Sequence, residues 1–198
     1  MQKYEPERNI MKTIISNNCS GAYMMRALKI KYNSPTIFLQ VLPDEYPKFC
    51  SNLKKYMQED LIEYKDYSDK HIESMKKLLG EVPGFPCGLL GDVAILFQHE
   101  KSFDEAKRKW DRRKERIDWN HIGYMFCLEF SAFKEAAKEY GELRLPHSVL
   151  FTRSFDVDVP IEHYRYDVPV DSEYLAIRSN GKFVFESYFD RETWYEEI

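Results

Sequence analysis

The stretch MKTIISNNCSGAYMMRAL, residues 11–28, reads as strand, turn and helix in that order. Met11-Lys-Thr-Ile-Ile-Ser16 reads as a short buried strand, and Ala22-Tyr-Met-Met-Arg-Ala-Leu28 reads as a helix. Between them, Asn17-Asn18-Cys19-Ser20-Gly21 forms a turn of small polar residues that brings backbone N–H groups and a thiol to a helix N-terminus. Such a turn suits binding of an anion or activation of a nucleophile.

Outward from this unit, Thr36–Leu42 is a second apolar run of strand length, preceded by the turn Tyr32-Asn-Ser-Pro35. Asp44 then caps a helix whose apolar residues Tyr46, Phe49, Leu53, Tyr56 and Met57 keep helical spacing, with Pro47 tolerated in its first turn. A β-α-β-α order predicts a largely parallel sheet with helices packed on it. Leu61–Tyr64 is a weak strand, and Ser68 begins a helix bearing Ile72, Met75 and Leu79 that Gly80 ends. Pro83–Gly88 interrupts regular structure, so 80–88 marks a subdomain break inside a single α/β domain of 1–198. A strand at Asp92–His99, a charged helix from Phe103 to Ile117, a strand near 122–127, a helix at Ser131–Tyr140 stopped by Gly141 and a strand at Ser148–Thr152 continue the alternation. In the C-terminal segment 170–198, Tyr174–Arg178 and Lys182–Glu186 flank Asn180-Gly181, a strong hairpin signal. A last short helix, Arg191–Glu197, packs Trp194. The fold class expected is α/β: a largely parallel sheet flanked by helices, closed by a C-terminal antiparallel hairpin.

The 198 residues suffice for one well-cored domain, and 43% apolar content with 15% aromatics describes a globular chain. The 14 Tyr, 13 Phe and 3 Trp are read mainly as core, with exposed rings free to line a sugar or base site. A net charge of −4 speaks against a dedicated nucleic-acid partner. The charged N-terminus lacks an apolar leader region and no run approaches a membrane span, so a cytoplasmic location with no transmembrane segment is expected. Four scattered cysteines, at 19, 50, 87 and 127, fit reduced thiols rather than a disulfide frame or structural zinc. Nothing in the spacing of the histidines calls for a metal or other cofactor.

Three features carry chemistry. The apolar stripe of the charged helix runs Phe103, Ala106, Trp110, Ile117, and the position completing it is Arg113. A core-facing arginine either pairs with an internal carboxylate or opens into a pocket and grips an anion through its fork of donors. The rest of that helix is richer in bases than acids. It is a solvated face, or the surface that attracts an anionic substrate. His99 closes the strand begun at Asp92. Parallel-sheet enzymes place reacting groups at strand C-termini, so Cys19 and His99 would share one sheet edge, with Asp92 or Glu100 orienting the imidazole. Against this stands the ordinary inert buried cysteine. The turn is not a Walker loop, a dinucleotide fingerprint or a nucleophile elbow.

Several pieces in order resemble one bacterial group: Ile15–Gly21, Lys31–Pro35, Phe85–Asp92, Phe97–Ser102, Glu105–Arg113 and Arg116-Ile-Asp118. The chain is similar there to domain-of-unknown-function family nineteen-nineteen, whose members carry the label of exopolysaccharide biosynthesis proteins. The resemblance spans about residues 11–152, with Phe189-Asp190 and Trp194 resembling the family's closing segment. It implies an α/β fold and the company of surface-polysaccharide genes. Carried over as motif positions are Asn17, Asn18, Cys19, Gly21, Gly88, Asp92, His99, Lys101, Trp110, Arg113 and Arg116. The chain departs from the pattern at Glu100, where tyrosine is usual, at Ser20-Gly21, and in an expansion over 66–84.

The first functional expectation is a transferase of capsular or exopolysaccharide assembly acting on a sugar nucleotide or phosphorylated sugar. In it Asn17, Asn18, Ser20 and Gly21 with Lys101, Arg113 and Arg116 hold the anion, Trp110 packs on the sugar, and His99 or Asp92 is the base. The second is a cysteine-dependent acyl transferase or hydrolase with Cys19 as nucleophile and His99 as base. The third is a non-catalytic scaffold working with polysaccharide-assembly proteins. Convergence of Cys19, His99 and Arg113 on one cavity favours an enzyme, and their dispersal favours the scaffold.

Overall fold

A computed structural model describes residues 11–167 and 189–198. The expected hairpin around Asn180-Gly181 lies outside the described residues.

The fold is α/β, with a parallel sheet flanked by helices and a second, antiparallel sheet beside it. Strand β1 (Thr13–Ser16) pairs in parallel with β6 (Ile122–Leu128), β6 with β7 (Ser148–Arg153), and β7 with β8 (Glu162–Tyr166). Side chains alternate across this sheet, as the pleat dictates. Ile14, Met125, Cys127, Val149 and Phe151 face helix α1 (Ser20–Ala27) and the C-terminal helix α7 (Arg191–Glu197), where Trp194 and, just past the helix, Ile198 complete that layer. Ile15, Tyr124, Phe126, Leu128 and Leu150 face the larger core, shared with α2 (Tyr46–Ser51) and α6 (Lys134–Glu142).

The second sheet has the order β2-β5-β4-β3 and is antiparallel throughout: β2 Gln40–Val41, β3 Leu61–Glu63, β4 Cys87–Leu90 and β5 Val93–Leu96. The sequence reading puts Thr36–Leu42 and Asp92–His99 in the parallel sheet, takes Leu61–Tyr64 as a weak strand and Pro83–Gly88 as irregular, whereas the structure pairs all four strands antiparallel. Gly91-Asp92 is a two-residue hairpin turn with Gly91 at φ +62°, so β5 can only run back along β4. Its inner face (Val41, Leu90, Val93, Ile95) joins the large core, and its outer face (Leu42, Cys87, Ala94, Leu96) is covered by Met75 of α4 (Asp69–Leu79). Residues on both sides of 80–88 therefore belong to one sheet.

Other expected elements change for local reasons. Thr36–Leu42 keeps strand form only at Gln40–Val41, because Phe38 turns the chain at φ +54° and Thr36 spends its Oγ1 on the Ser16 amide. Asp44 caps no helix. Its carboxylate accepts from Ser74 Oγ at 2.8 Å, and a 3₁₀ turn at Pro43–Glu45 leads into α2, which breaks at Asn52 before α3 (Leu53–Gln58). Gly141 lies within α6 instead of ending it, since a side chain there would strike Val159. Helix α5 (Phe103–Lys114) begins with Ser102 accepting from the Glu105 amide, and its acids and bases sit at the ends the helix dipole favours.

Candidate functional site

A cavity of about 450 Å³ lies where β1 and β6 end. Asn17–Ser20 after β1, with Cys127 and Leu128 at the end of β6 and Glu129 just past it, form part of its wall. Gln98 and His99 enter from the loop after β5, Leu78 and Leu79 from the end of α4, and Phe130 and Phe133 from the approach to α6. The carboxyl ends of parallel strands are the usual place for a ligand crevice, because the loops there diverge.

The turn is built by its own side chains. Asn17 acts as an extra rung between β1 and β6: its Nδ2 donates to the Cys127 carbonyl at 3.0 Å and its Oδ1 accepts the Cys127 amide at 2.9 Å. Asn18 donates to the same carbonyl at 3.3 Å, and its Oδ1 accepts the Ser20 amide at 2.9 Å. That amide is thus engaged within the turn, where the sequence reading gave it to an anion. Ser16 Oγ donates to the Asn18 carbonyl at 2.7 Å, and any side chain at Gly21 would clash with Ser16. Gly21 is there to let α1 start against β1.

Cys19 and His99 meet, Sγ to Nε2, at 3.3 Å. They come from different sheets, so their contact owes nothing to a shared sheet edge. Burial pushes the Cys19 thiol up to about 11, against a smaller opposite pull from its own backbone amide. The resting sulfur is therefore a neutral thiol, able to donate to an imidazole that carries its proton on Nδ1. No carboxylate orients the ring among the described residues. Glu100 is buried and ion-paired with Lys109 of α5. Asp92 sits at the far end of β5, where its Oδ1 accepts from Tyr56 Oη at 2.7 Å and its Oδ2 from Lys48 Nζ at 2.9 Å. Those two donors hold the Asp92 carboxyl down at about 2, and it is no part of the cavity.

His99 is instead steadied by Phe38, edge to face at 5.9 Å between ring centres. Phe38 also meets Tyr23 and Tyr32. Arg113 lies behind this group and does not line the cavity: its Nη1 donates to the Ile37 carbonyl at 2.8 Å, pinning the loop that presents Phe38. Lys101 and Arg116 are exposed elsewhere, and Trp110 is fully buried core, unable to face a sugar. Among the described residues the lining contains no lysine or arginine.

A cluster that the sequence reading missed fixes the α4 wall. Glu45, 1% exposed, accepts from His71 Nε2 at 2.9 Å, from Lys70 Nζ at 3.2 Å and from the Ala94 amide at 2.8 Å. Tyr64 Oη lies 2.6 Å from His71 Nδ1 and accepts the Ser68 amide at 2.8 Å. Also missed were Gln98, Glu129 and Phe130. The last two follow directly on a strand of the parallel sheet, which is the signal that finds them.

Among the described residues no helix is long and apolar enough to cross a membrane, and no three His, Cys, Asp or Glu side chains are grouped to hold a metal ion. The four cysteines are unpaired. The family model described as "Domain of unknown function (DUF1919)" matches residues 2–195. The chain is also similar to an uncharacterized protein of Haemophilus influenzae, 24% identical over 187 residues that cover 92% of this chain and 83% of the relative.

Proposed function

We propose that this chain, which belongs to the DUF1919 family of domains of unknown function, is a thiol-dependent acyl transferase or hydrolase that acts on the sugars of a surface polysaccharide. One observation carries the reading: Cys19 Sγ lies 3.3 Å from His99 Nε2 on the wall of a cavity at the carboxyl ends of two parallel strands. A nucleophile in hydrogen-bond contact with a base is the minimum apparatus for covalent acyl transfer. The polysaccharide acceptor is supported by the family resemblance and by the exposed amide of Gln98 on the lining, which suits sugar hydroxyls. The reading as a transferase of phosphorylated sugars has less support, since Lys101, Arg113 and Arg116 stand outside the cavity.

In the reaction, the Cys19 sulfur attacks the ester carbonyl as its proton passes to His99 Nε2. The tetrahedral adduct breaks its C–O bond, the imidazolium returns the proton to the leaving alcohol, and a thioester remains on Cys19. Water or a sugar hydroxyl then attacks the thioester with His99 again as base. The C–S bond breaks and the sulfur recovers its proton. A thiol held at about 11 makes base assistance during attack necessary, because little thiolate stands ready near neutrality.

The test is intact-mass spectrometry after incubation with p-nitrophenyl acetate, together with release of nitrophenol. Wild-type protein is expected to gain one acetyl group. Cys19→Ala is expected to gain none, and His99→Ala to acylate at least about a hundredfold more slowly. Turnover by Cys19→Ala at the wild-type rate rejects the proposal.

A further inference from the structure

We infer that the acyl group carried by this site is an apolar chain of several carbons, seated against Leu78, Leu79, Leu128 and Phe133. The inference rests on the reading of Cys19 and His99 as the reacting pair and extends it to the class of acyl donor.

The cavity holding that pair is far larger than an acetyl group, at about 450 Å³. Its lining is divided by origin. Polar groups come from the β1 turn, from Gln40 of β2, from the loop after β5 and from Glu129 just past β6, while branched and aromatic hydrocarbon comes from α4, Leu128 at the end of β6 and the approach to α6. Leu128 and Phe133 are buried in the main core and Leu78 packs against the same cluster, so this wall is continuous with the interior. Leu78 and Leu79 are only half-buried, and acetyl on Cys19 would leave their hydrocarbon facing water, which the hydrophobic effect disfavours. Sugar rings are poor candidates for it, because they stack on flat exposed faces such as Phe130 rather than on leucines. The wall is also fixed in place. Helix α4 is tied down by His71 and Lys70 to buried Glu45 and by Ser74 to Asp44. A preformed apolar slot beside a nucleophile selects its acyl group by length, since the reacting atoms are the same for every chain.

The experiment compares p-nitrophenyl acetate, butyrate and octanoate on the full chain, with Cys19→Ala as the control for site-dependent turnover. Each methylene that enters the slot is worth up to about fourfold in kcat/KM. We expect kcat/KM to rise from acetate to octanoate by at least about a hundredfold. Leu79→Phe, which adds bulk to the slot, is expected to lower the octanoate value at least tenfold and by a larger factor than it lowers the acetate value. A flat or falling series with Cys19-dependent turnover overturns the inference and leaves the acyl-transfer reading intact, as does an equal loss on both esters in Leu79→Phe. Turnover that ignores Cys19, or no turnover at all, overturns the acyl-transfer reading instead. The slot is then judged by calorimetry on Cys19→Ser with octanamide and acetamide, where equal or absent binding of the two rejects it.

Discussion

Phe38 occupies the left-handed backbone region at φ +54°, which a residue with a side chain adopts at a cost of roughly 1–2 kcal/mol. What it gains there is a ring against His99, on a loop held by Arg113 through the Ile37 carbonyl. Phe38→Gly separates these effects, because glycine is at ease at that φ and lacks the ring. We expect a melting temperature within about 5 °C of wild type and acylation of Cys19 slowed roughly tenfold or more through loss of imidazole alignment. An unchanged rate means that Phe38 does not position His99. Residue identities at this site were readable from the sequence: Cys19 for its place after a buried strand, His99 for closing one. Asp92 misleads because it flanks the same short run as His99 in sequence, whereas a strand carries its two ends to opposite edges of the sheet. Arg113 stands out in the sequence as an anomaly on an apolar stripe, but spacing has no means of showing that a backbone carbonyl receives it.

Helix α4 shows how an element can be legible while its role is not. Ser68 at its start and Gly80, at φ +82°, after its end mark its limits in the sequence. The partner that places it is Glu45, which lies before two helices and a strand. Burial alone would raise the Glu45 carboxyl, but the His71 hydrogen bond, the Ala94 amide and the nearby positive charge of Lys48 outweigh it and set the group below its ordinary 4.5. A depressed carboxylate contributes its full stability above that ordinary value and loses it as pH falls through the folded-state value. Glu45→Gln is expected to destabilise by roughly 2–4 kcal/mol at pH 7, since it leaves buried donors poorly matched. In urea melts the gap to wild type should narrow steadily below about pH 4.5. A gap that stays constant from pH 7 down to pH 3 removes the carboxylate from this account.

Across the whole molecule, three strands of the parallel sheet are legible because β1, β6 and β7 are apolar runs, while β8, with the polar sequence Glu-His-Tyr-Arg-Tyr, gives no such signal. The antiparallel sheet is not legible, since its strands are short and Gly91-Asp92 is a weak turn signal beside Asn-Gly. Both sheets feed one core: Ile15, Phe126 and Leu150 from the first join Val41, Val93 and Ile95 from the second. Unfolding should accordingly be a single event, with far-ultraviolet circular dichroism and tryptophan fluorescence giving coincident urea curves. Two separated transitions show that the sheets are independent units. The hydrogen bond from the Val41 amide to the Asn17 carbonyl, at 2.8 Å, stitches the sheets together two residues before Cys19. Cys19 then rides on one sheet and His99 on the other. The gap between sulfur and imidazole works as a gauge of how the two sheets are seated, so a sideways slip of about an ångström at that seam would uncouple the pair while leaving every strand intact.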